Sequence, residues 1–119
     1  MKEISYRFRF CSTGIAFLLA LFSSAVSAQC YSHGCSGYVD EVYIEAYGGL
    51  WLQTSSDEQL LNCTVNSGVF LYLPGNAEKF KEVYVLLLLA QATDKQVFVR
   101  IQEGSSPCRI DYVRLMRNQ

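Results

Sequence analysis

The chain reads as mainly β with one helix. Three observations carry that expectation. Short segments alternate apolar and polar residues with period two. One later segment repeats apolar residues at helical spacing. Gly, Pro, Asn and Asp stand between these segments, where turns need them.

The first element is a leader. "MKEISYRFRF" carries Lys2, Arg7 and Arg9, "GIAFLLALF" forms an apolar core from Gly14 to Phe22, and "SSAVSA" follows. Val26 and Ala28 fit the −3 and −1 positions of a cleavage site, so residues 1–28 are expected to be a secretory signal peptide. Its apolar run is shorter than the ~20 residues a membrane span needs. A secreted or periplasmic location follows, with no membrane span after cleavage. Residues 29–119 suffice for one small domain, with neither repeats nor low-complexity tracts.

"SGYVDEVYIEAY" is the first expected strand. Val42, Ile44 and Ala46 alternate with Tyr43, Glu45 and Tyr47. Val39 is out of phase, which places a bulge near Asp40 and Glu41. Gly48 and Gly49 make a turn, and Leu50 and Leu52 flank Trp51 in a second strand. In "GVFLYLP", Val69, Leu71 and Leu73 oppose Phe70 and Tyr72, and Pro74–Gly75 ends this third strand.

Asn76 is the expected N-cap of a helix over residues 77–92, with Glu78 near its positive end. Phe80, Val83, Tyr84, Leu87 and Leu88 form the stripe expected to face the core. Val85, Leu86 and Leu89 fall outside it and are candidate oligomer contacts. In "QVFVRIQ", Val97, Val99 and Ile101 point inward and Phe98 and Arg100 outward. "CRIDYVRLM" is the last strand. The order β-β-β-α-β-β matches an OB-fold-like five-stranded barrel. An open sheet with one packed helix is the rival.

Cys30, Cys35, Cys63 and Cys108 remain after the leader, an even number for an oxidising compartment. Of three pairings, Cys30–Cys35 and Cys63–Cys108 are expected. The metal alternative at "CYSHGC", with His33, is set aside because secreted zinc sites of this kind are uncommon.

No catalytic constellation or cofactor motif is evident. His33 is the single histidine, no G-x-S-x-G stands in the chain, and adjacent Asp40 and Glu41 point to opposite faces of a strand. The formal net charge is −1, and it becomes more negative without the leader, which argues against nucleic acid as a partner. Asn62–Thr64 matches a glycosylation acceptor, read here as chance. Tyr38, Tyr43, Tyr47, Trp51 and Tyr72 lie on expected strands and suit binding better. Amphipathic rings stack on sugars and keep a polar tip for hydrogen bonding. Tyr43, Tyr47, Trp51 and Tyr72 are the candidate ligand residues, for a carbohydrate or a protein surface.

With its leader, its disulfides, its strand order and the segment "LLLLAQATDKQVFVRIQEGSSPCRIDYVRL", the chain resembles the B subunits of AB5 bacterial toxins, above all the subtilase-cytotoxin and pertussis-like binding subunits. The likeness rests mainly on Glu82 to Leu115 and carries no site over. The resemblance implies a glycan-binding homopentamer with a catalytic A subunit as partner. Beside this stands a monomeric exported protein of structural or inhibitory role, its helix buried within its own fold.

Overall fold

The computed structural model describes residues 28–117. Apart from Ala28, the expected leader lies outside the described residues. Among the described residues, seven strands and one α-helix run in the order β1 (Gln29–Cys30), β2 (Gly34–Gly37), β3 (Val39–Glu45), β4 (Gly49–Thr54), β5 (Leu71–Pro74), α1 (Phe80–Ala92), β6 (Val97–Ile101) and β7 (Ile110–Leu115). A short 3-10 turn covers Glu58–Leu60.

Hydrogen bonding makes two antiparallel sheets, β1-β2-β6-β7 and β3-β4-β5, instead of one closed barrel. The expected first strand is split at Tyr38 into β2 and β3, and β1 is added by the Cys30–Cys35 hairpin. The sheets meet again at a single parallel bridge between Tyr72 and Arg109, beside a 2.8 Å bond from the Tyr72 N–H to the Cys108 carbonyl. That pairing stops quickly because β5 has only four residues and ends at Pro74, which has no N–H to donate.

The core is aliphatic. Leu50 and Leu52 from β4, Leu71 and Leu73 from β5, Val97, Val99 and Ile101 from β6 and Ile110 from β7 are buried together with Leu87 and Ala90 of α1. The period-two reading of β4, β5 and β6 holds residue by residue. The bulge in β3 falls where expected, between Val39 and Glu41.

Four local expectations change. Ile44 is 43% exposed, because β3 is an edge strand and its far end runs past the core. Ala46 and Tyr47 leave the strand for the turn, where Gly48 takes φ of 95°, a backbone shape that costs glycine little. Val69 and Phe70 also precede β5: they close a tight turn in which the Phe70 N–H bonds the Asn66 carbonyl at 2.9 Å. Asn76 does not cap α1. Turn bonds from Ala77 to Pro74 and from Phe80 to Ala77 hold the chain non-helical until Lys79, which takes the cap position.

Both disulfides form as expected. Cys30 lies opposite Cys35 in register, and Cys63–Cys108 joins the loop before β5 to the residue that contacts Tyr72. They point to an oxidising, exported environment. Among the described residues no helix is long and apolar enough to cross a membrane.

Candidate functional site

The register of β3-β4-β5 builds one aromatic face. Tyr43 pairs with Trp51, and Trp51 pairs with Tyr72, so three rings stand side by side across three strands. Their neighbours Leu50 and Leu52, and Leu71 and Leu73, point into the core, which fixes the rings outward. Trp51 and Tyr72 have centroids 4.6 Å apart, Tyr43 and Trp51 6.4 Å. Phe70 meets the edge of Tyr43 at 5.4 Å and closes the row. All four rings are half-buried, so each presents part of its surface to solvent.

Within this patch the Trp51 Nε1–H is buried and has no hydrogen-bond partner. Buried donors without partners are uncommon and costly, of order 1–3 kcal/mol each. Of the four candidate ligand residues, Tyr43, Trp51 and Tyr72 thus come together in one row. Tyr47 does not join it. It stands fully exposed at the tip of the β3–β4 turn. It does share a cleft of ≈ 410 Å³ with Tyr72, Gly48, Pro74, Gly75 and Asn76, so the ladder ends at a depression. Tyr38, between the two sheets, donates its backbone N–H to Ser55 Oγ at 2.9 Å and is not part of the face.

The outward surface of α1 is the second candidate. Leu87 and Ala90 are buried, and Phe80, Val83 and Tyr84 pack at the core margin. Leu88, expected inward, is 39% exposed. The helix packs on β3 and β7, and that contact covers a narrower stripe than the sequence suggests. Val85 at 62% and Leu89 at 47% are open to solvent, and Leu86 is half-buried. With Lys81 and Glu82 they line a shallow apolar groove of ≈ 450 Å³.

Sequence reading missed a second aromatic cluster on the other sheet. Tyr31 stacks on His33 at 5.7 Å, His33 lies 6.1 Å from Phe98, and Phe98 lies 6.5 Å from Tyr112. The Arg114 guanidinium sits 4.8 Å above the Phe98 ring. Gly34 makes room for this cluster: a Cβ there would lie 2.7 Å from the Phe98 ring.

One buried carboxyl stands apart from these faces. Glu58 is buried and accepts from the Thr54 N–H at 2.6 Å and from the Thr54 hydroxyl at 2.8 Å. Burial pushes its pKa above the usual value of 4.5, partly opposed by these two bonds and aided by nearby Asp40. It anchors the turn after β4. Among the described residues no group of three or more His, Cys, Asp or Glu could hold a metal ion.

Comparison with protein-family models, with curated proteins and with solved structures finds no match for this chain.

Proposed function

We propose that the protein is a secreted or periplasmic, non-catalytic binding module whose ligand lies on the Tyr43–Trp51–Tyr72 row. The observation that carries this reading is the row itself: three half-buried rings in cross-strand register. Aromatic faces of this kind suit a saccharide, whose C–H faces pack on rings and whose hydroxyls take hydrogen bonds at their rims. The cleft at Tyr47 and Asn76 supplies polar atoms at one end of the row.

The proposal includes an OB-like arrangement. In its favour, β2 and β3 run on with only Tyr38 between them. Pairings then pass from β3 to β4 to β5, by the Tyr72–Arg109 bridge to β7, on to β6 and back to β2. That circuit, with its helix between β5 and β6, supports the reading of a partly open barrel in which β2 and β3 count as one strand.

Self-association is the second part of the reading, favoured by exposed Val85, Leu88 and Leu89 on one helix. The resemblance to toxin B subunits adds a pentamer and a catalytic A subunit as the partners to look for. A glycan array tests the ligand. The parent protein is expected to bind a saccharide, and Trp51→Ala is expected to lose that binding by at least about tenfold, the scale of one aromatic anchor. No signal on the array, or equal binding by the variant, removes the saccharide reading.

A further inference from the structure

Charge is unevenly distributed along the chain. Beyond the leader, every Lys and Arg comes after Asn76, whereas residues 28–76 hold Asp40, Glu41, Asp57 and other carboxylates with no cation among them. The fold turns this asymmetry into two unlike faces.

On β6 and β7, Val97, Val99 and Ile101 point inward, which turns Phe98 and Arg100 outward. Phe98 pairs in register with Arg114, and Arg100 with Tyr112. Two guanidiniums and two rings therefore alternate on one surface, with Arg114 over Phe98. The neighbouring carboxylate, Asp111, lies elsewhere, in a cleft with Glu78, Lys79 and Arg109 near the start of α1. On edge strand β3, Glu41 and Glu45 are exposed on either side of Tyr43 and share its face, while Ile44 is exposed on the opposite face. None of Arg100, Arg114, Glu41 or Glu45 forms an ion pair with another described residue.

We infer that the cation–aromatic surface of β6–β7 (Arg100, Tyr112, Arg114) docks on the acidic β3 edge (Glu41, Glu45) of a second copy of this chain, head to tail. Each surface offers what the other lacks: guanidiniums on one side, carboxylates on the other. Guanidinium pairs with carboxylate in a planar, two-point fashion and stacks on aromatic rings, so the match is geometric as well as electrostatic. Like surfaces repel, so the contact joins unlike surfaces and propagates to a ring or an open chain. β3 is the outer strand of its sheet, so docking there engages the Tyr43 end of the row and leaves Trp51, Tyr72 and the adjoining cleft open to a ligand. The inference rests on the reading that the protein self-associates, and it assigns the contact to these strand surfaces in place of the helix face.

The test is sedimentation velocity on the purified protein with intact disulfides, in three arms. First, the parent protein is expected to sediment as an oligomer at about 0.05 M salt and to shift toward monomer at about 0.5 M, where charges are screened within a few ångströms. Second, Arg100→Glu/Arg114→Glu and Glu41→Lys/Glu45→Lys are each expected to be monomeric alone, and an equal mixture of the two is expected to associate again. Should the doubly substituted arginine variant fail to fold, Arg114→Glu alone at an exposed position is expected to weaken association at least about tenfold. Third, Val85→Glu/Leu89→Glu probes the helix. A mixture that stays monomeric overturns the head-to-tail contact. So does an oligomer indifferent to the charge variants but dissolved by the helix variant, although self-association then stands. A parent protein that is monomeric at low salt removes both.

Discussion

Glu58 shows how much one residue can matter off the binding faces. Its side chain is buried and takes two hydrogen bonds from Thr54, and burial still raises its pKa above 4.5. The native state therefore holds this proton at pH values where the unfolded chain has released it. Between the unfolded pKa and the higher folded one, the native state binds more protons, so stability falls as pH rises. Its contribution is fully present below the unfolded value and is lost as pH climbs through the folded one. Glu58→Gln keeps an oxygen for Thr54 and removes the titration. Urea unfolding of both proteins, from about pH 3 to about pH 8, is expected to show the parent losing stability relative to the variant as pH rises. Parallel curves would refute this role. Trp51 and Gly34 belong at the same scale. One carries an unpaired donor among rings, the other vacates the space that Phe98 fills, and both bear on surfaces rather than on the core.

At the scale of the element, α1 is the informative case. Its sequence is apolar on nearly every side, so periodicity alone separates the faces poorly. Contacts with β3 and β7 select Leu87 and Ala90 for the interior and leave Leu88 and Leu89 partly in water. Leu87→Ala is expected to cost about 2–5 kcal/mol, the usual range for a truncated core leucine. Leu89→Ala is expected to change monomer stability by less than about 0.5 kcal/mol, as exposed positions do. Chemical denaturation of both variants, at a concentration and salt where the protein is monomeric, measures the contrast. Similar losses at the two sites would mean that Leu89 is buried in the folded monomer. The strands behave differently. In β4, β5 and β6 alternation assigned each side chain to its face, because each of these strands has one face on the core. In β3 it did not: the strand lies at an edge, carries a bulge, and extends beyond the core that would have covered Ile44.

At the scale of the molecule, two cross-links hold a small core together. Cys63–Cys108 closes 45 residues, and in the chain-entropy model that removes ~4 kcal/mol of freedom from the unfolded state. Cys30–Cys35 closes only 5, for ~2 kcal/mol. Replacing Cys63 and Cys108 by Ser is thus expected to destabilise the protein more than replacing Cys30 and Cys35. Thermal melts of the two variants give the order, and a reversed order would show that the longer link does not set overall stability. The long link also ties the loop before β5 to the place where Tyr72 bonds the Cys108 carbonyl, beside the parallel bridge that joins the two sheets.

The sequence by itself determined the mainly β class with one helix, the faces of β4 to β6, the bulge and the turn at Gly48, and it pointed to the disulfide partners among three possible pairings. Each depends on residues close in the chain or on a short list of cysteines. Tertiary structure decided the rest. It aligned Tyr43, Trp51 and Tyr72 through inter-strand register, and excluded Tyr47 from that row. It gathered Tyr31, His33, Phe98, Tyr112 and Arg114 from three distant segments. It also left the strand circuit joined by a single bridge. The physical reason is common to all three. Periodicity records which side of an element meets apolar surroundings, but register, edge position and sheet closure depend on partners far away in the chain, and no local pattern encodes them.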